Sequence, residues 1–303
     1  MTGQPKIGLV TVTYNSAKVI PGFMESLQAQ TYANWQLIAV DNQSKDSSAE
    51  LLRSYDDDRV TIIFNEDNIG VAAGNNQGIR EAIQQDCKYI VLINNDTEFP
   101  ANLLAEMLRR LLELQCDMVV PKMYYYQPKD RLWFAGGKFR RFLFWQIRHI
   151  GLDQNDTGLF NQTVPIDYAP TCCVLMPSQL FEQVGLMDEQ YFVYYDDVDF
   201  FLRANRKGCK TYYLPHIHLY HKVSSLSGGN ESEWGLYMQS RNAILFLRKN
   251  YPALPQKLGL VGQQLFLLFR FILKRDNAKT FAIRQRGLRD GLRMPINRMP
   301  INS

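Results

Sequence analysis

Short apolar runs alternate with longer amphipathic stretches along the first 120 residues of this 303-residue chain. The apolar runs are rich in β-branched residues and predict five strands, at Ile7–Thr13, Trp35–Val40, Val60–Phe64, Tyr89–Ile93 and Met118–Val120. The stretches between them have helical periodicity and predict helices at Pro21–Gln30, Ser47–Tyr55, Val71–Gln85 and Ala101–Gln115. Strands that alternate with helices form βαβ units, so we expect an α/β fold with a Rossmann-like, mostly parallel central sheet flanked by helices.

The pattern is less regular in the second half of the chain. Residues 128–163 are rich in glycine, aromatic residues and arginine, and they predict no regular element. The remaining pattern predicts strands at Tyr168–Met176, Lys210–Leu214 and Ile217–His221, and helices at Ser178–Val184, Asp197–Lys207 and within Gly228–Asn250. Because no linker rich in Pro, Gly or Ser divides these elements, we expect one domain over residues 1–250 and a C-terminal segment over residues 251–303.

Charge is distributed unevenly along the chain. The formal net charge is +4, but the segment from Gln256 onward contains ten Lys or Arg residues and only two Asp residues. A basic segment of this kind indicates an anionic partner. No module that reads nucleic acid accompanies it, so we do not expect nucleic acid to be that partner.

Leu258–Leu273, within the basic segment, is rich in leucine and phenylalanine. Its longest uninterrupted apolar run is Leu265–Phe269, whereas a membrane-spanning helix needs about 20 apolar residues. Apolar residues next to basic ones predict an amphipathic helix that lies in the interface of an anionic membrane without crossing it. The alternative is a helix that packs on the domain and exposes a solvated basic face.

The five cysteines are odd in number and include no Cys-x-x-Cys pair. This usage predicts reduced, buried thiols and a cytoplasmic protein rather than a disulfide framework. Residues 1–6 are polar and lead directly into the first strand, so we expect no signal peptide.

Polar residues follow each of the first four predicted strands. The segments concerned are Thr13–Ser16, Asp41–Ser44, Asn65–Gly70 and Asn94–Thr97. Ligands of open α/β sheets bind beyond the carboxyl ends of the strands, so these segments together can surround one polar ligand. The alternative is that they are ordinary turn residues, which are often Asn and Asp for local backbone reasons.

Gly70, Gly74 and Gly78 recur at every fourth residue after the third strand. Their spacing differs from Gly-x-Gly-x-x-Gly, so a dinucleotide site is not indicated. Glycines allow a helix to approach either a sheet or a phosphate closely, and both explanations are open at this point.

Three carboxylates lie within Tyr194–Asp199, beside two tyrosines at the predicted start of a helix. Helix capping and the helix dipole explain one or two of them. They do not explain the aromatic neighbours, which suit a general base stacked beneath a sugar ring. His221 lies at a strand end, just before the small-residue run that begins at Ser224, and it can be either a metal ligand or a structural histidine.

Six short motifs follow one another in order between residues 6 and 250. They are Thr11–Asn15, Val40–Ser44, Asn68–Gly70, Asn94–Asp96, Tyr195–Asp199 and His221–Ser224. Together they resemble the motifs of family 2 glycosyltransferases, and most closely the bacterial rhamnosyltransferase-like branch that builds cell-surface polysaccharides. The resemblance implies the GT-A fold for this region. The amphipathic helices predicted after residue 250 would lie C-terminal to that domain.

The resemblance also implies roles for individual residues. The implied donor-binding residues are Thr13, Asn15, Asp41, Asn68, Gly70 and Asn95, and within this set Asp41 would bind the pyrimidine base. Asp96 and His221 would bind a divalent metal, Mg²⁺ or Mn²⁺, and Asp197 would be the catalytic base. Asn94 departs from the family pattern, which has the first Asp of an Asp-x-Asp motif at that position, so fewer charges would hold the cation.

The function implied by the resemblance is that of an inverting glycosyltransferase. It would transfer a sugar, with dTDP-rhamnose as the best candidate donor, to a lipid-linked or saccharide acceptor. One alternative keeps the fold and uses a UDP-hexose, UDP-N-acetylhexosamine or UDP-galactofuranose donor, and another is a non-enzymatic protein that binds a membrane surface. With the basic C-terminal segment, the enzyme would be peripheral on the inner face of the cell membrane.

Overall fold

The computed structural model describes residues 3–140, 146–223 and 232–297, without the side chain of Gln146. Its strands are β1 Ile7–Thr13, β2 Trp35–Asp41, β3 Val60–Phe64, β4 Tyr89–Ile93, β5 Thr97–Glu98, β6 Met118–Tyr125, β7 Leu132–Phe134, β8 Gly137–Arg140, β9 Gln146–His149, β10 Val164–Ile166, β11 Cys173–Pro177 and β12 Thr211–His221. Its helices are α1 Ile20–Gln28, α2 Ser48–Ser54, α3 Gly70–Gln84, α4 Leu103–Leu114, α5 Leu180–Val184, α6 Asp196–Arg206, α7 Glu233–Asn250, α8 Ala253–Ile272 and α9 Ala278–Arg293. The α/β fold predicted from the sequence is therefore confirmed.

The main sheet has the strand order β10-β12-β6-β11-β4-β1-β2-β3. The block β4-β1-β2-β3 is parallel throughout, as the βαβ pattern predicts. Strand β11 then enters between β4 and β6 and is antiparallel to both, while β6 and β12 are parallel to each other. Strands β1 and β2 are almost fully buried, because helices cover both faces of a parallel sheet.

Two expectations for the second half of the chain were wrong. The segment 128–163 contains regular structure, because β7 pairs with β6 and β8 pairs with β9. The two strands expected before His221 form one long strand, β12, whose register with β6 shifts between Leu214 and His218. Pro215 lies at this shift, where its missing N–H costs no ladder hydrogen bond.

Gly74 and Gly78 let α3 approach β1 closely. A Cβ atom would lie 2.9 Å from the Val12 side chain at Gly74 and 2.4 Å from the Val10 side chain at Gly78. Of the two explanations that the sequence left open for these glycines, the structure favours helix–sheet packing.

The C-terminal helices differ from each other in how they pack. Helix α9 packs tightly on α7, and a Cβ atom at Gly291 would lie 2.4 Å from the carbonyl oxygen of Arg241. Helix α8 contacts the rest of the protein through a narrow stripe in which only Gly259 and Leu267 are buried. Among the described helices, none combines the length and the apolarity that crossing a membrane requires.

Candidate active site

The ends of β1 and β2 are joined by a small polar cluster. Asp41 is buried, and its carboxylate accepts hydrogen bonds from the hydroxyl of Thr13 at 3.1 Å and from the hydroxyl and backbone N–H of Ser44 at 2.6 and 3.0 Å. Asn15 completes the cluster, because its N–H donates to the Ser44 hydroxyl and its side-chain oxygen accepts from the Lys45 N–H at 2.7 Å. Its backbone has φ +53°, a conformation that asparagine tolerates better than most residues.

A network of amides covers the start of α3. The side chain of Asn42 donates to the carbonyl oxygen of Gly70 at 3.0 Å, and the side-chain oxygen of Asn68 accepts from the Gly70 N–H at the same distance. Gly70 has φ +87°, and a Cβ atom there would lie 2.6 Å from the Phe192 ring. The position therefore requires glycine, both for its backbone conformation and for the contact with Phe192.

The end of β4 carries Asn95 and Asp96, both buried. The Asn95 side chain donates to the carbonyl oxygen of Val12 at 3.0 Å, which ties β4 to β1. Asp96 Oδ1 lies 3.1 Å from Nε2 of His221, which is buried at the end of β12. Carboxylate and imidazole are both ligands for divalent cations, so this pair is the candidate metal site.

A series of ring contacts leads from this pair to the acidic cluster. The Trp133 ring lies 4.4 Å from the ring of His221 and 5.4 Å from that of His149, between centroids, and the His149 ring lies 5.7 Å from that of Tyr168. The Tyr168 hydroxyl then donates to Asp197 Oδ2 at 2.7 Å. We call His221, Trp133, His149 and Tyr168 the aromatic series. Its contacts connect the candidate metal site to the candidate base through the interior of the domain.

The three carboxylates at the start of α6 have different surroundings. Asp199 is neutralised by Arg203 at 2.7 Å and also accepts from the side chain of Asn250, so its role is structural. Burial, with the nearby Asp197 charge second, raises the pKa of Asp196 to about 8. Burial also raises the pKa of Asp197, against the opposing effect of the hydrogen bond from Tyr168.

The loop before these carboxylates has a strained backbone. Phe192, Tyr194 and Tyr195 have φ values of +68°, +61° and +69°, and a bulky residue in this conformation costs on the order of 1–3 kcal/mol. The fully buried side chain of Asn242, on α7, lies within 2.9 Å of the carbonyl oxygens of Tyr191, Val193 and Tyr194. Helix α7 therefore holds the strained loop in place.

The structure brings the predicted site residues into two groups. Thr13, Asn15, Asp41, Asn68, Gly70, Asn95 and Asp96 lie at or beyond strand ends of the parallel block, and His221 lies beside Asp96. Asp197 lies at the far end of the aromatic series. Sequence reasoning missed Trp133, His149 and Tyr168; the aromatic content of residues 128–163 was noted, but nothing in it pointed to the acidic cluster. Ser224, the last residue of the final motif, lies outside the described residues.

Comparison with known proteins gives one family. The profile described as "Glycosyl transferase family 2" matches residues 9–185, which is more than half of the chain. The chain is 24% identical over 242 residues to the low-salt glycan biosynthesis hexosyltransferase Agl10 of Haloferax volcanii, covering 79% of this chain and 74% of that protein. It is 26% identical over 258 residues to the dTDP-rhamnosyl transferase RfbF of Shigella flexneri, covering 80% of each.

Solved structures share the fold. The mannosyltransferase PcManGT from Pyrobaculum calidifontis, in complex with GDP-Man and Mn²⁺, superposes with a TM-score of 0.57 at 15% identity, covering 98% of this chain and 77% of that chain. An identity this low shows the fold alone, and the expected GT-A fold is confirmed.

Proposed function

The chain belongs to glycosyl transferase family 2, and from this premise we propose that it transfers a sugar from a nucleotide diphosphate to an acceptor hydroxyl, with inversion at the anomeric carbon. The observation that carries the proposal is the aromatic series, which joins the Asp96–His221 pair to Asp197. In this arrangement the cation-binding pair would serve the diphosphate end of the donor sugar, and the carboxylate of Asp197 would serve the acceptor. The chain is a glycosyltransferase, so the non-enzymatic alternative is set aside.

We assign the nucleotide to the carboxyl ends of β1, β2, β3 and β4, where ligands of open α/β sheets bind. The residues assigned to it are Thr13, Asn15, Asp41, Asn68, Gly70 and Asn95. Most of their polar atoms already form hydrogen bonds with one another or with the backbone, so this part of the site is shaped before the donor arrives. Preorganisation of this kind lowers the entropy cost of binding.

We assign a divalent cation, Mg²⁺ or Mn²⁺, to Asp96 and His221. The two side chains fit such an ion, because both are buried, their Oδ1 and Nε2 atoms are 3.1 Å apart, and carboxylate and imidazole both bind Mn²⁺. Asn94 adds no charge, so the diphosphate oxygens would complete the ligand set. The cation would stabilise the negative charge that builds up on the departing nucleoside diphosphate. The Mn²⁺ in the complex of the mannosyltransferase PcManGT supports this assignment.

We assign the proton transfer to Asp197. As the acceptor oxygen attacks the anomeric carbon, its proton passes to the Asp197 carboxylate and the bond from that carbon to the diphosphate oxygen breaks. One base and no protein nucleophile give a single displacement, which inverts the configuration. Burial raises the pKa of Asp197 towards the working pH, which makes the carboxylate a stronger base.

We propose dTDP-rhamnose as the donor and a lipid-linked or saccharide acceptor of cell-surface polysaccharide synthesis. Similarity to the dTDP-rhamnosyl transferase RfbF along 80% of the chain supports this choice. The test is a panel of dTDP-rhamnose, UDP-hexoses, UDP-N-acetylhexosamine and UDP-galactofuranose, each with Mg²⁺, Mn²⁺ or EDTA. We expect metal-dependent release of dTDP above that of UDP. If only a UDP-sugar is turned over, the enzyme uses the alternative class of donor. If no donor in the panel is turned over, the proposed function is contradicted.

We also propose that the enzyme works while bound peripherally to an anionic membrane, on its cytoplasmic face. The support is one face of α8, which is apolar and exposed along its whole length. Its members are Leu254, Leu258, Val261, Leu265, Leu268, Phe269 and Ile272, each between 47% and 69% exposed. Lys257, Lys274 and Arg275 are exposed nearby and could contact anionic headgroups, at about 1 kcal/mol for each basic residue near the surface. A lipid-linked acceptor would then lie in the same surface as the enzyme.

Flotation with liposomes of varied charge tests the membrane proposal. We expect the protein to float with anionic liposomes at low salt and to remain behind when Leu265 and Phe269 are both changed to Glu. The matched control is Leu159→Glu, because Leu159 is 80% exposed on another surface of the protein. The proposal would be contradicted if the α8 double variant floated as well as the wild type. It would also be contradicted if α8 formed a dimer whose stability did not depend on lipid.

A further inference from the structure

Two adjacent carboxyl groups, those of Asp196 and Asp197, lie at the start of α6. The proposed transfer reaction needs only one of them as a base. Asp196 is buried and Asp197 is half-buried, and they repel each other when both are ionised. Family resemblance points to Asp197 without giving a physical reason. The structure contains one, in the contacts that each carboxyl group makes outside its own helix.

Asp197 accepts a hydrogen bond from a side chain of another element. The Tyr168 hydroxyl lies 2.7 Å from Oδ2, while Oδ1 accepts from the backbone N–H of Val198 at 2.7 Å. Over the described chain, Asp196 accepts no hydrogen bond from another side chain. A hydroxyl that donates to a carboxylate stabilises the ionised form, so the two neighbours are electrostatically unequal.

Tyr168 is well held for such a role. It is buried, and its ring packs against those of Phe139, His149 and Phe201 at centroid distances of 6.1, 5.7 and 5.9 Å. Its carbonyl oxygen lies against Gly137, where a Cβ atom would be 2.3 Å away. The phenol cannot turn away from Asp197 without displacing several rings, so the hydrogen bond also fixes the direction of the carboxylate.

We propose that Tyr168 is a positioning residue that makes Asp197, rather than Asp196, the group that takes the acceptor's proton. The inference rests on the proposed function and deepens it, because it explains which member of the acidic cluster acts. Tyr168 itself exchanges no proton with the acceptor. Its hydroxyl hydrogen stays directed at Oδ2 and the remaining lone pairs of the carboxylate are left for the acceptor.

The other titratable groups around Asp197 do not supply this selection. Tyr195 is a neutral phenol whose pKa burial raises to about 12, Asp196 carries no positive charge that could attract one on Asp197, and Asp199 is already paired with Arg203. His149 contacts Tyr168, but burial lowers the pKa of its imidazole and keeps it neutral near pH 7. Tyr168 is therefore the group outside α6 that favours the charge on Asp197.

The test compares pH profiles of kcat/KM for three variants. Tyr168→Phe keeps the ring and removes the donor, so the acid limb should move up by about one to two pH units, with activity recovering at high pH. Asp196→Asn should leave the acid limb nearly where it is, because burial keeps Asp196 protonated over the range in which Asp197 first ionises. Tyr213→Phe is the matched control, since Tyr213 is buried and its hydroxyl bonds to the Phe160 carbonyl, away from the cluster.

A titration without substrate separates this inference from the proposed function. The ¹³C-carboxyl signal of Asp197, assigned by its loss in Asp197→Asn, should titrate at higher pH in Tyr168→Phe than in the wild type. An unchanged titration would overturn the inference, whereas a shifted one would support it even if no donor is turned over. If Tyr168→Phe does not fold, Asp196→Asn decides. Turnover retained with a nearly unmoved acid limb supports the proposal, and loss of turnover as complete as in Asp197→Asn contradicts it.

Discussion

The donor side of the site, at the strand ends, and the base side, around the start of α6, are stabilised in opposite ways. On the donor side, Thr13, Asp41 and Asn95 are buried and bonded to each other's loops or to backbone, mostly through neutral groups. On the base side, Tyr194 and Tyr195 have a strained backbone, and burial raises the pKa of Asp197. The polar groups of the donor side therefore have hydrogen-bond partners, as in an ordinary protein interior. The base side instead has a strained backbone and a desolvated charge, which the rest of the protein must stabilise.

This contrast predicts that the chemical step depends on the base side, whereas donor binding depends on the donor side. Asp197→Asn keeps the size of the side chain and removes the base, so kcat should fall by about 10²–10⁴ while nucleotide binding is nearly unchanged. Steady-state kinetics and calorimetric titration with the nucleoside diphosphate measure the two quantities. If the variant keeps more than about a tenth of wild-type turnover, the result would indicate that Asp196 is the base instead.

The complementary change on the donor side is Asp96→Ala. Removing the carboxylate ligand should weaken nucleoside diphosphate binding and lower kcat/KM by about 10²–10³, since a bound cation contributes several kcal/mol of charge stabilisation. Binding of the nucleoside alone should change little, because the cation contacts the phosphates. Equal losses for both ligands would contradict the metal assignment, and so would full activity of the wild type after dialysis against EDTA.

The strained loop offers a test of how the base side is held. Asn242→Ala removes the donor to the carbonyl oxygens of Tyr191, Val193 and Tyr194. We expect a loss of about 1–3 kcal/mol in the free energy of unfolding and a fall in kcat between about 10- and 100-fold, because the loop positions Asp197. Urea denaturation and steady-state kinetics provide both numbers.

Asn76→Ala is the matched control for that prediction. Asn76 is equally buried and bonds both the N–H and the carbonyl of Met187, in a loop where only a glycine, Gly185, has a positive φ. It should lose comparable stability with a smaller loss of kcat. If the two variants lose the same fraction of kcat, the strained loop has no special role in catalysis.

The contrast also explains which features could be predicted from the sequence. The parallel block follows from alternating apolar and amphipathic segments, and a parallel sheet brings its strand ends, with Thr13, Asp41 and Asp96, to one edge. Trp133, His149 and Tyr168 lie on short strands and loops without periodicity, so no local pattern predicts their contacts. The left-handed backbone of Tyr195 opposes its own local preference and exists because Asn242, distant in sequence, holds the loop.

The smallest predicted effect concerns stability and pH. The carboxyl of Asp196 has a folded-state pKa of about 8, whereas an unfolded Asp has a pKa of about 3.9. Between these values the unfolded chain releases a proton that the folded protein keeps, so stability falls as the pH rises and reaches its full penalty above the folded pKa. Asp196→Asn removes this term. It should match the wild type near pH 4 and exceed it by at least about 1 kcal/mol at pH 8 in urea denaturation. A difference of the opposite sign at pH 8 would mean that Asp196 is ionised and stabilised in the folded protein, and the base side would then lack the desolvated charge that distinguishes it from the donor side.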